Sequence, residues 1–161
     1  MVLLGGSANA LTAGEKAPDV TAKNQSGKTV HLSDYKGKFV LLYFYPKDDT
    51  PGCTKEACNL RDNFAAYKEA NAIVLGVSRQ DEKSHQQFIA KFKLPFDLLV
   101  DVDGSIAKAF NVGSFPLVGL TKRQSFLIGP DGKIVQAYLD VDPEKHASQV
   151  LNDIKKAPKS N

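Results

Sequence analysis

The chain has 161 residues, 42% apolar and 24% charged, which suits one globular domain and excludes a disordered chain. Its net charge of +3 comes from 21 basic residues scattered along the sequence without a like-charge block, so no nucleic-acid partner is expected. No apolar run approaches the ~20 residues of a membrane span, so no membrane partner is expected either.

Residues 1–13 read as a flexible tail. Ala8-Asn9-Ala10 has the small-x-small form of a signal-peptide cleavage site, but the apolar stretch before it is short and no basic flank precedes it. The expectation is a cytoplasmic protein, with the trimmed remnant of an export signal as the alternative. One domain is expected over 14–157, with a second tail over 158–161.

In chain order, the cluster Asn24-Gln25-Ser26-Gly27-Lys28 predicts a turn between two short strands. Residues 39–45 are apolar throughout, as in a strand covered on both faces. Thr50 suits a helix N-cap and Pro51 the first helical position, opening a helix predicted through about Glu69 with Leu60, Phe64 and Tyr67 inward. A strand over 72–77 and a helix over 81–92, with Phe88, Ile89 and Phe92 on one stripe, come next.

A short strand over 98–100, a helix over 105–110 and an irregular loop to Leu120 follow. Strands over 125–128 and 134–138 flank the turn Gly129-Pro130-Asp131-Gly132. Asp142-Pro143 is predicted to start a last helix, with Val150, Leu151 and Ile154 inward. Strands alternating with helices, then a hairpin, imply a thioredoxin-like α/β fold: a central mixed sheet between helices, with an N-terminal β-hairpin extension.

The chemistry concentrates in the stretch from Tyr43 to Cys58, at the carboxyl end of the first central strand, where open α/β sheets place their ligands. Cys53 falls in the first helical turn, beside unpaired N–H groups and the positive end of the helix dipole. Such a place favours the thiolate, the nucleophilic form. Cys58 lies five residues on, about 140° around an ideal helix and roughly 8.7 Å away between Cα atoms. A disulfide needs less than about 7 Å, so the two cannot bond while the helix is intact. Taken alone, Cys58 reads also as a small core residue, Arg123 first as a surface arginine, and Glu56 equally as a favourable charge at a helix start.

Pro46-x-x-x-Thr50-x-x-Cys53 is the active-site pattern of the peroxiredoxins. The whole run Tyr43-Phe-Tyr-Pro-Lys-Asp-Asp-Thr-Pro-Gly-Cys-Thr-Lys-Glu-Ala-Cys58 resembles the bacterioferritin-comigratory, or peroxiredoxin Q, subfamily, and the similarity spans most of the chain. The resemblance implies that Cys53 is the peroxidatic cysteine and Cys58 the resolving one. It implies that Thr50 and Arg123 hold the peroxide, Pro46 shields the sulfur, and Glu56 orients Arg123. It further implies a peroxide substrate, a thioredoxin-like or glutaredoxin-like reductant, no cofactor and a monomer. Arg79-Gln80 departs from common members, which often carry an acidic residue there; loop electrostatics is where this is expected to act.

His31, His85 and His146 show no metal spacing and are expected on the surface. Asp48-Asp49 and Asp101/Asp103 are expected to solvate loops. Two alternatives stay open: a thiol–disulfide oxidoreductase, although that chemistry wants Cys-x-x-Cys, and a redox-switched binding module of the same fold.

Overall fold

The computed structural model describes residues 11–157; residues 1–10 of the tail expected over 1–13, and the tail expected over 158–161, lie outside them. Strands β1 (Thr21–Lys23) and β2 (Thr29–His31) pair antiparallel around the predicted turn. Asn24 closes that turn by accepting from the backbone N–H groups of Ser26 (2.9 Å) and Lys28 (3.1 Å). Then come β3 (Phe39–Phe44), α1 (Pro51–Asp62), α2 (Phe64–Glu69), β4 (Ala72–Ser78) and α3 (Glu82–Phe92). After β5 (Asp97–Val100) and α4 (Ser105–Ala109), a small hairpin forms from β6 (Ser114–Phe115) and β7 (Leu120–Thr121). The chain ends in β8 (Gln124–Ile128), β9 (Ile134–Tyr138) and α5 (His146–Lys156).

The central sheet has the order β5-β4-β3-β8-β9, parallel across its first three strands and antiparallel across the rest. This is the predicted mixed sheet. Alternation along β3 sends successive side chains to opposite faces. Phe39, Leu41 and Tyr43 pack with Leu60, Tyr67, Val150 and Ile154 from α1, α2 and α5. Val40, Leu42 and Phe44 pack with Val30, Ile106, Phe110 and Phe126 on the other face. Both faces are buried, and β3 carries no charged residue.

Four local expectations change. The helix predicted to about Glu69 breaks at Asn63, whose side-chain amide donates to the Asn59 carbonyl (2.8 Å) and competes with the helical ladder. Regular helix after Pro143 starts at His146, because the Asp142 carboxylate takes the Glu144 N–H (2.9 Å) and holds a turn there. The irregular loop before Leu120 contains the β6–β7 hairpin. Asp48 and Asp101 are buried and paired, not loop solvators. Asp101 accepts from the Ile106 and Ala107 N–H groups (2.8 and 3.1 Å) at the start of α4.

The histidines also differ from expectation. His31 is exposed, but His85 and His146 are fully buried. Helical spacing explains both: His85 heads the inward stripe of Phe88, Ile89 and Phe92, and His146 that of Val150 and Ile154. Burial pushes the His146 imidazole down to about 4, and its Nε2 meets the Ser125 hydroxyl at 2.9 Å.

Among the described residues no helix is long and apolar enough to cross a membrane. No group of three or more His, Cys, Asp or Glu among them could hold a metal ion.

Candidate active site

Strand β3 ends at Phe44, and the loop 45–50 delivers the chain to α1 at the carboxyl edge of the sheet. Thr50 occupies the N-cap position with extended backbone (φ −103, ψ 157), and its carbonyl accepts from Thr54 N–H at 2.8 Å. Its hydroxyl does not cap α1. It donates instead to the Lys47 carbonyl (2.7 Å), which leaves the oxygen free to act as an acceptor.

Cys53 lies in the first turn of α1 and is 1% exposed. Arg123, which reaches the site from just before β8, donates through Nη2 to the Cys53 sulfur at 3.3 Å. Its Nη1 donates to Glu56 Oε1 at 2.8 Å, so one guanidinium spans both acidic side chains. Burial opposes the Arg123 charge, but Glu56 and Cys53 outweigh that effect. Burial raises the Glu56 carboxyl to about 7 even though Arg123 pulls it down. Behind them Tyr43 is buried, its hydroxyl pushed well up by burial and then by the Glu56 and Cys53 charges. Tyr43 Oη and Glu56 Oε2 have no hydrogen-bond partner among the described residues.

The structure thus brings Cys53, Glu56 and Arg123 into direct contact, with Thr50 at the head of the same helix. Pro46 is half-buried in the loop, and its carbonyl accepts from Gln80 Nε2 at 3.4 Å. Cys58 sits farther along α1, half-buried, and both cysteines are free. With α1 continuous from Pro51 to Asp62, the sulfurs cannot bond until the helix opens.

The sequence concealed the contacts of three groups. Gly52 matters for space as well as flexibility: a Cβ there would lie 2.9 Å from Arg123 Nη2. A glycine in a first helical turn, where it costs about 1 kcal/mol against Ala, was the available signal. Gln80 is more than a change in loop charge, because its Oε1 accepts from Asp48 N–H (3.0 Å) and the Ser78 hydroxyl (2.7 Å). Asp48 and His85 form a buried pair that sequence distance concealed.

The AhpC/TSA family model matches residues 13–137. Peroxiredoxin Bcp of Bacillus subtilis (strain 168) is 42% identical over 148 residues, covering 88% of this chain and 94% of its own length. A chloroplastic peroxiredoxin Q of Triticum aestivum is 44% identical over 142 residues, covering 88% of this chain but 65% of that longer protein. A solved structure of Xanthomonas campestris bacterioferritin comigratory protein, described for its alkyl peroxide reduction activity, matches with a TM-score of 0.82. It is 34% identical and covers 89% of this chain and 98% of that one. A buried cysteine under an arginine, at the head of a helix on a mixed α/β sheet, agrees with these matches: the chain belongs to the AhpC/TSA family, in its Bcp/peroxiredoxin Q branch, and is a thiol-dependent peroxidase.

Proposed function

We propose that Cys53 is the residue that attacks the peroxide, hydrogen peroxide or an alkyl hydroperoxide, and that Cys58 resolves the product. The Cys53 thiolate forms a bond to the terminal peroxide oxygen while the O–O bond breaks. Sulfur loses two electrons and becomes sulfenic acid, and the departing oxyanion takes a proton to leave as water or alcohol. The observation that carries this reading is the Arg123 guanidinium held against the Cys53 sulfur at 3.3 Å. A fixed positive charge there stabilises the oxyanion that forms as the O–O bond breaks. Thr50, its hydrogen committed to Lys47, accepts from the peroxide O–H. Pro46 covers the approach from the loop, and Glu56 holds Arg123 in place.

Once α1 opens, the Cys58 thiolate attacks the sulfenic sulfur. An S–S bond forms, the S–O bond breaks and water leaves. A thioredoxin-like or glutaredoxin-like dithiol then supplies two electrons to reopen the disulfide. No cofactor enters this cycle. Both cysteines lie on one helix, so a single chain completes it, and we assign the protein as a monomer, one domain over 14–157.

Titration of the fully reduced protein with one equivalent of hydrogen peroxide, under anaerobic conditions, tests the reading. Following free thiols and intact mass, the expected result is loss of both thiols within seconds, a mass drop of about two hydrogens and no covalent dimer. Cys58→Ser is expected to react once and stop. Loss over hours, at the pace of an ordinary thiol, overturns the assignment of Cys53.

A further inference from the structure

A second buried polar cluster lies against the loop that carries Pro46 and Thr50, outside the contacts of Cys53. Two hydroxyls donate to the Asp48 carboxyl group, Tyr45 Oη at Oδ1 (2.6 Å) and Ser84 Oγ at Oδ2 (2.8 Å), and His85 Nδ1 is hydrogen-bonded to Oδ2 at 2.6 Å. The side chains of His85 and Asp48 are 0% and 4% exposed. His85 Nε2 is 2.9 Å from the Leu99 carbonyl, which can only accept, so Nε2 carries a hydrogen. The imidazole is therefore held at both nitrogens between β5 and the loop.

The backbone of the same loop is held too. Gln80 accepts from Asp48 N–H and donates to the Pro46 carbonyl. Lys91 of α3 pairs with the Asp49 carboxylate at 2.8 Å. Asp49 itself takes a left-handed conformation (φ 57), and Pro51 opens α1 immediately after Thr50.

A buried polar pair of this kind contributes little net stability compared with an apolar replacement. It does fix geometry. Here it fixes the loop 45–50, which carries two groups of the site, from outside α1.

We propose that Asp48 and His85 are positioning residues for the peroxide step. They lock Pro46 and Thr50 in place from the α3 side, so the peroxide-holding half of the site stays rigid while α1 unwinds for disulfide formation. This builds on Cys53 as the residue that reacts with peroxide.

The test separates the two chemical steps in single turnover. Rapid quench with alkylation and intact mass follows sulfenate formation, which depends on peroxide concentration, and disulfide formation, which does not. Asp48→Asn turns a carboxyl group bonded to two hydroxyls and an imidazole into an amide. It is expected to slow sulfenate formation tenfold or more, as a displacement of about 1 Å does, and to leave disulfide formation within about twofold.

The histidine provides the sharper pair. His85→Asn puts an amide N–H at the position of Nδ1 and keeps the bond to Asp48. His85→Gln puts it at the position of Nε2 and keeps only the bond to Leu99. The Asn variant should stay within about threefold of the parent in sulfenate formation, and the Gln variant should fall about tenfold.

Equal behaviour of the two histidine variants, or parallel slowing of both steps, overturns the proposal in favour of simple packing. If Asp48→Asn does not fold, the histidine pair alone decides. Cys53→Ser is the control: peroxide turnover that survives it overturns the Cys53 assignment. An inert Cys53→Ser beside an unimpaired Asp48→Asn overturns the positioning role alone.

Discussion

The two cysteines share α1 yet meet opposite surroundings. Cys53 is enclosed by groups from outside its own helix: Arg123 from the approach to β8, and the core that holds Tyr43 of β3. Cys58, five residues on, points to another side and is half-buried. The first sulfur is organised by tertiary contacts, and the second is half-buried farther along the helix. A helix separates two residues at this spacing by a large rotation, so one can be sheltered while the other stays accessible. The cost is that the pair can meet only when the helix opens.

Breaking the tertiary side should have the largest effect. Arg123→Ala removes the donor at the sulfur and is expected to slow reaction with peroxide by about 10²–10³, the usual loss for one charge-stabilising donor. Gly52→Ala leaves Arg123 present but fills the space where Nη2 lies, and is expected to cost about tenfold. Peroxide competition kinetics measure both. A Gly52→Ala rate equal to the parent's would mean that the guanidinium does not need its observed seat.

The buried carboxyl beside Arg123 sharpens the comparison through pH. Burial raises Glu56 from 4.5 to about 7 in the folded state. Between those values the folded protein keeps a proton that the unfolded chain has lost, so this group lowers stability as pH rises through the window. Glu56→Gln has no proton to lose. It should match the parent near pH 4.5 and exceed it by about 3 kcal/mol above pH 7.

His146 works with the opposite sign: lowered from 6.5 to about 4, it costs stability as pH falls through that range. In the parent the two slopes offset each other between 4.5 and 6.5, and Glu56→Gln uncovers the histidine slope. Urea unfolding at pH 4.5, 6.5 and 8 reads both. A parent–variant difference that does not change with pH would show that Glu56 keeps an ordinary carboxyl.

The smallest expected change acts on the Cys58 side. Asn59 donates from Nδ2 to the Pro143 and Glu144 carbonyls (3.1 and 3.3 Å), clasping the later turns of α1 to the segment before α5. Opening of α1 strains that clasp. Asn59→Ala removes about 1 kcal/mol of restraint and should speed disulfide formation a few-fold without slowing the peroxide step. Lys55 pairs with Glu144 in solvent, and its removal should change neither rate measurably. A slower disulfide step in Asn59→Ala would place the clasp in the opened state instead.

Local chemistry made the elements readable. The all-apolar run ending at Phe44, the Thr50-Pro51 helix start and the Asn24 turn each depend on neighbours within a few residues. β3, the start of α1 and the first hairpin therefore stand where the sequence places them. The family motif also picked out Cys53, Glu56 and Arg123, but not the distances among them, since Arg123 lies 70 residues from Cys53. His85 and Asp48 were misread as surface groups because polarity was weighed before helical phase. His85 stands three residues before Phe88 on an inward stripe, and the structure places it there.

What the sequence by itself determined is the order of elements and the residue types at the sulfur, because propensity, periodicity and motif are carried by adjacent residues. What only the tertiary structure decided is which distant groups face one another: Arg123 over Gly52, and Asp48 locked to His85 and Leu99. Buried polar groups must find partners to offset lost hydration, and those partners are set by how strands and helices pack.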